Sequence, residues 1–336
     1  MPARLFLSSG NIVADRRYEY ARDLQLKGDP AGAADVLEQA IELAPRFASA
    51  WFTLGEIRHA LGDREASIEA FRKAREADAD DRHGAGLWLM RLGSEPLSSM
   101  PKAYVRTLFD QYAPKFERAL IDDLGYRGPS LLFKAVLAAR HGKPAFFRRA
   151  IDLGCGTGLA AAAFVKEVDH FTGLDISARM IEKARATGLY AELEVSDILE
   201  GLRVRQDGSA DLVLAADTFV YIADLVSVLV ETRRVLAAGG LVAFTTETHH
   251  GDGVIIGEGL RYAHGEAYVC AALKSAGLAL SQLENLSARN EDNDPPAECR
   301  SGSSDSRGSG HRPGRCGRTG RSAIARAACA GRHRSP

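Results

Sequence analysis

Small and apolar positions near the start of the chain recur with a period of 34 residues. Gly28 aligns with Gly62, Ala33 with Ser67, Leu37 with Phe71, Ala40 with Ala74 and Pro45 with Ala79. A repeat of this length predicts pairs of antiparallel helices. Gly55 and Ala74 let such helices approach closely, while Trp51 and Phe71 fill the space between them. His83 to Gly93, with Leu87, Trp88 and Leu92, reads as a third, incomplete first helix. Residues 94–101 collect Ser and Pro and read as a linker. Tyr104, Leu108, Tyr112, Phe116 and Leu120 then return at helical spacing, as an apolar face that packs on a domain or covers a ligand.

From Ala150 the pattern changes to short apolar runs alternating with helical stretches. Strands are expected at Ala150–Leu153, His170–Leu174, Glu192–Val195, Asp211–Ala215, Leu241–Thr246 and Leu278–Arg289. Helices are expected at Leu159–Val168, Leu225–Leu236 and Gly265–Ser275. The expected class is α + α/β: helical hairpins, then a Rossmann-like, mostly parallel sheet over residues 102–294.

Composition adds a division that the pattern does not show. The chain has 336 residues, with 43 basic and 44 acidic groups and a formal charge of −1. Residues 297–336 hold nine arginines against Glu298 and Asp305, a local charge of +7 that leaves −8 for the rest. The same segment contains no Val, Leu, Phe, Tyr, Trp or Met. It is therefore expected to be a disordered basic tail from residue 295, unable to supply a strand. Its Arg, Gly, Ala, Ser, Pro and Cys bias fits a frame shift near Pro295–Ala297; a native basic arm attracted to a polyanion is the alternative. The five cysteines show no metal-ligand spacing, and no metal is expected. Leu5–Leu7 is too short an apolar run for a secretory signal, and the Leu212–Val230 stretch contains Asp217 and Asp224. A cytoplasmic protein with no membrane partner is the default.

The chemistry concentrates in RAIDLGCGTGLAAAAFVKEVDHFTGLDISARM, residues 149–180. Strand, glycine turn, helix, strand and terminal acid open a nucleotide-binding α/β sheet. The dinucleotide pattern G-x-G-x-x-G/A would place its third small residue at Leu159, which does not fit. Asp152 beside the loop would repel a pyrophosphate and favours a ligand with a cationic head. Asp175, at the end of the second strand, suits two ribose hydroxyls.

The segment IDLGCGTG…GLDIS resembles the first motifs of class I S-adenosylmethionine-dependent methyltransferases. That resemblance implies S-adenosylmethionine as cofactor, with contacts from Asp152, Gly154, Gly156, Thr157, Gly158, Asp175, Ile176 and Met180. It further implies that Asp197 accepts from the adenine amino group, that Ile198 lies against the ring, and that Tyr112 closes over the methionine end. Asp217 and Tyr221, after the fourth strand, read either as cofactor and catalytic groups or as a helix cap and a core aromatic. Residues 14–81 resemble tetratricopeptide repeats, and the array is taken to extend to residue 93. With YVRTLFDQYAPKFERALIDDLGYRGP and RYAHGEAYV, residues 14–294 resemble a bacterial group of methyltransferases that carry such repeats.

Methyl transfer needs an acceptor held in line, and a base only if the acceptor must lose a proton. His264 and Tyr221 are the catalytic candidates; an incidental histidine is the plainer reading of the first. The acceptor is a small molecule or a protein, with nucleic acid disfavoured by the acidic body. The repeats are expected to recruit substrate or partner without touching the chemistry. Two other functions are compatible: a non-catalytic scaffold that retains the cofactor fold, and an NAD(P)-dependent oxidoreductase.

Overall fold

The computed structural model describes residues 5–116, 126–140 and 146–287, and the backbone of 322–329. The N-terminal helices are α1 (Ile12–Leu26), α2 (Pro30–Leu43), α3 (Ala48–Ala60), α4 (Arg64–Ala77) and α5 (Ala85–Arg91). The repeat extends to their caps. Asp29 accepts from Gly32 N and Asp63 from Ala66 N, one period apart, each holding the start of a second helix. Pro30 occupies the first turn of α2, where its missing N–H costs no helical bond. Gly55 lies against Phe71: a Cβ there would come within 2.7 Å of Phe71 Cε1. Phe71 in turn stacks on Trp88 of α5, 5.1 Å between ring centroids. The incomplete third hairpin therefore seals the second.

Residues 94–101 are bound along much of their length. Glu95 takes a bidentate pair of 2.7 Å bonds from Arg75. The Tyr262 hydroxyl donates to the Ser98 carbonyl at 2.6 Å, and Met100 is buried with Leu87 and Tyr262. This segment joins the repeats to α6 (Lys102–Tyr112) as a fastened strap, not as a free linker.

After α7 (Gly128–Ala139) the chain alternates: β1 (Phe147–Leu153), α8 (Leu159–Ala163), β2 (Val168–Asp175), α9 (Ala178–Thr187), β3 (Glu192–Val195), α10 (Ile198–Arg203) and β4 (Ala210–Ala215). It continues through α11 (Leu225–Val235), β5 (Leu236–His249), β6 (Val254–Ile256), β7 (Tyr262–Gly265), α12 (Glu266–Ser275), β8 (Leu278–Leu286) and β9 (Ser322–Cys329). Strands β3, β2, β1, β4 and β5 are neighbours in that order and all parallel. Leu212 to Ala215 of β4 are completely buried, as a strand covered on both faces requires. One face packs on α11 and α12 through Leu225, Leu229, Val269 and Leu273, the other on α7 and α8 through Leu132, Val136 and Ala161.

Three features differ from the sequence expectation. Helix α8 ends at Ala163, because the chain must already turn to start β2 at Val168. The pair β6–β7 was not foreseen; its strands are too short to carry a pattern, and β7 adds in parallel to the end of β5. The third concerns the seventh strand. Ser322–Cys329 lies antiparallel between β5 and β8, pairing Leu241–Glu247 on one side and Leu278–Leu286 on the other. Residues 297–336 do supply this strand, although their side chains are poor in β-formers. Two facing strand edges offer unsatisfied backbone donors and acceptors, and that demand overrides weak side-chain propensity. Apart from this strand's backbone, the expected disordered tail lies outside the described residues.

Candidate active site

The cleft lies beyond the C-terminal ends of β1, β2, β3 and β4, where open α/β sheets bind ligands. It encloses about 1030 Å³, open mouth included. Its floor is the glycine loop, with φ of +66° at Gly154, +55° at Gly156 and +100° at Gly158. These left-handed values exclude most side chains. At Gly154 a Cβ would also strike Thr218, whose hydroxyl donates to the Leu153 carbonyl at 2.8 Å. The loop can therefore approach a ligand with its backbone.

Asp175 fastens this loop. Its Oδ2 accepts from Gly156 N at 2.9 Å and its Oδ1 from Ser177 N at 2.8 Å. Burial still pushes its carboxyl up to about 6. Asp152, at the end of β1, is 1 % exposed. Tyr190 donates to its Oδ2 at 2.7 Å, while Oδ1 has no hydrogen-bond partner among the described residues. Burial raises this carboxyl to about 7, with the nearby Asp175 charge adding to the rise. Thr157 Oγ1 is likewise buried without a partner among the described residues, and Thr157 lines the same cleft. Buried polar atoms left in this state are costly unless a ligand completes them.

Asp197 caps α10: its Oδ1 accepts from Leu199 N at 3.0 Å and Glu200 N at 3.2 Å. Its Oδ2 lies 3.5 Å from Lys102 Nζ. Ile176, Ile198 and Asp217 also line the cleft. Asp217 sits at φ +57°, a conformation uncommon outside glycine, with its N–H donating to Thr245 Oγ1 at 2.7 Å. Tyr221 reaches the cleft with its ring edge-on to Phe109 at 5.3 Å. Behind it, Arg261 hydrogen-bonds Tyr221 and ion-pairs with Glu247.

Four of the residues expected at the site are placed elsewhere. Tyr112 does not line the cleft; it packs edge-on behind Phe116, whose ring does. Met180 is fully buried in α9. Gly158 starts α8 and faces Tyr190 instead of the cleft. His264 is completely buried on β7, with Nδ1 2.6 Å from Thr246 Oγ1 and Nε2 2.9 Å from the Ile222 carbonyl. A carbonyl only accepts, so Nε2 carries the proton and donates to it, and Nδ1 accepts a hydrogen bond from the threonine hydroxyl. Burial pulls the ring down to about 4, which leaves it neutral at pH 7 with both nitrogens occupied inside the fold.

Sequence reasoning missed Lys102, Phe109, Tyr126 and Tyr190. Phe109 lies outside the helical stripe Tyr104, Leu108, Tyr112, Phe116 and Leu120, and Phe116 lies on it; a stripe does not tell which rings face a ligand. Nothing in the sequence links Tyr190 to Asp152. Met100, at the end of the strap, and Lys102, at the start of α6, also line the cleft, so the segment that follows the repeats touches the site. Among the described residues no group of three His, Cys, Asp or Glu side chains could hold a metal ion.

Comparison with known proteins agrees with this geometry. Residues 151–244 match the family model of a methyltransferase domain, and residues 24–87 that of tetratricopeptide repeats. The chain is 26% identical over 111 residues to a ubiquinone biosynthesis O-methyltransferase of Erwinia tasmaniensis, covering 32% of this chain and 46% of the relative. It is 30% identical over 142 residues to human methyltransferase-like protein 27, covering 42% and 57%. The chain thus spans about half the length of these curated relatives. A Burkholderia thailandensis 1,6-didemethyltoxoflavin-N1-methyltransferase, solved with S-adenosylhomocysteine, aligns over 70% of this chain and 92% of its own at 14% identity and a TM-score of 0.45. The chain therefore carries a segment that matches tetratricopeptide repeats, followed by one that matches a methyltransferase domain.

Proposed function

We propose that the protein is an S-adenosylmethionine-dependent methyltransferase acting on an acceptor still to be identified. The observation that carries this reading is Asp152: a sealed carboxylate with one oxygen unpartnered among the described residues, beside a backbone-lined glycine loop. Such a group fits an ammonium and is a poor neighbour for a pyrophosphate, which disfavours a nicotinamide cofactor. Asp152, the loop Gly154–Thr157, Asp175 with Ile176, Asp197 with Ile198, and Asp217 form the cofactor contacts of this proposal. Asp175 would take the ribose hydroxyls and Asp197 the adenine amino group. When bound, the cofactor supplies an electrophilic methyl on sulfur. The chain's part is to orient it and keep water from it, with Phe109, Phe116 and Tyr221 as the aromatic wall.

Tyr221 is the polar group proposed to face the acceptor, held by Arg261. Recruitment of the acceptor or of a protein partner by the repeats belongs to the same reading, as does a cytoplasmic location. No helix among the described residues is long and apolar enough to cross a membrane. Calorimetry with S-adenosylmethionine tests the proposal: wild type binds, and Asp175→Ala binds at least about tenfold more weakly through lost charge-assisted hydrogen bonds. Folded wild type that does not bind excludes the function; unchanged affinity in the variant excludes the ribose assignment.

A further inference from the structure

We infer that Lys102 reads the adenine edge of the cofactor and that the repeat array sets its position. The inference rests on the cofactor proposed above. Lys102 is the first residue of α6, immediately after Pro101. Its Nζ lies 2.7 Å from Glu200 Oε1 and 3.5 Å from Asp197 Oδ2, and its side chain lines the cleft beside Ile198. Asp197 Oδ1 already accepts two backbone N–H groups. Oδ2 is then the oxygen that receives a ligand proton.

An ammonium has three N–H groups. Glu200 and Asp197 orient two of them, and the third is available to a ligand acceptor at the same spot. A 6-aminopurine offers the matching pair on one edge: an amino donor for Asp197 and an adjacent ring nitrogen as acceptor for Lys102. A 6-oxopurine would set its oxygen against the Asp197 carboxylate. Acceptor and donor side by side therefore select the base and add grip.

The strap explains why this lysine stands there. Residues 97–101 lead into it directly from the repeats. Ser98 is held through its carbonyl by Tyr262, and Met100 is wedged between Leu87 of α5 and Tyr262 of β7. Strap residues Leu97–Pro101, with Lys102 after them, also wall a second groove that shares Met100, Lys102, Asp197 and Ile198 with the cleft. The adenine end of the site is thus built partly by the segment that the repeats anchor.

The test is calorimetry of the full chain with S-adenosylhomocysteine and its 1-deaza and 7-deaza adenine analogues. Lys102→Met removes a half-exposed side chain and leaves the fold intact. It weakens binding of the parent ligand by about tenfold or more, the effect of one charge-assisted hydrogen bond, and Lys102→Arg restores part of it. The deaza analogue that lacks the contacted nitrogen binds wild type more weakly but loses nothing further in Lys102→Met. Tyr262→Phe, which cuts the strap's tie outside the cleft, weakens binding severalfold in wild type and not in the Lys102→Met background. Binding by Lys102→Met within about twofold of wild type overturns the inference while the methyltransferase reading stands. Losses that simply add for both analogues also overturn it, and additive losses for Tyr262→Phe remove the strap's part. Failure of wild type to bind S-adenosylhomocysteine overturns both.

Discussion

At the scale of residues, Asp152 sets the terms of the site. A carboxylate sealed at a strand end ionises reluctantly, and its pKa near 7 states that reluctance. Below the unfolded value of about 3.8 both states are protonated and Asp152 contributes no pH dependence. As pH rises from there to about 7, the unfolded chain ionises first, so the ligand-free fold loses stability over this window and levels off above it. A cationic ligand reverses the preference, because it pairs with the charged form. Affinity for S-adenosylmethionine should therefore rise from pH 5.5 to pH 8, and Asp152→Asn should flatten the rise. Calorimetry across pH, with thermal melts of the free protein, checks both. Asp152→Asn should also bind about tenfold more weakly at pH 8, from loss of a charge-assisted contact. Asp152 was legible in the sequence because it stands two residues before the glycine loop, although its partner Tyr190, far along the chain, was not. His264 was not: Thr246 and Ile222, which occupy its ring nitrogens, come from other elements.

At the scale of elements, legibility followed periodicity. The helices of the repeats declare themselves through a 34-residue period, and the strands β1 to β5 through apolar runs. Gly55 shows how tightly that period is tied to packing. Gly55→Ala would drive a methyl into the Phe71 ring, which is wedged on its far side by Trp88. The repeats should lose about 1–3 kcal/mol by overpacking, seen as a lower thermal midpoint. A Gly55→Ala protein as stable as wild type would mean that the Phe71 ring has room to move. Short α8 and the pair β6–β7 escaped because their limits come from neighbours, not from their own pattern. The placement of β9 belongs here too: the edges of β5 and β8 recruit it, and its own sequence gave no sign.

At the scale of the whole molecule, the repeats and the sheet are one packed body. Leu87, Met100 and Tyr262 bury one another across the junction, and the strap brings Met100, with Lys102 at the start of α6, to the cleft. A chain beginning near Met100 should therefore lose solubility or bind S-adenosylmethionine at least about tenfold more weakly, as size-exclusion chromatography and calorimetry would show. Equal affinity in a monodisperse truncated protein would restore the view of the repeats as an independent recruiting module. Charge points the same way. The acidic body, at −8 before the basic tail, surrounds a cleft whose own carboxylates are Asp152, Asp175, Asp197 and Asp217. That field suits a cation at the site.

Strand β9 has a consequence for assembly. It fills its slot by backbone pairing on both sides, yet residues 287–321 separate it from β8 in the chain. A slot bounded by two strand edges has the geometry that strand exchange between two copies uses. Exchange of β9 between two molecules would leave each sheet complete and join the two proteins through their tails. The balance between closed monomer and exchanged pair then depends on concentration, and the free edges of β5 and β8 are the surfaces where any failure to close begins.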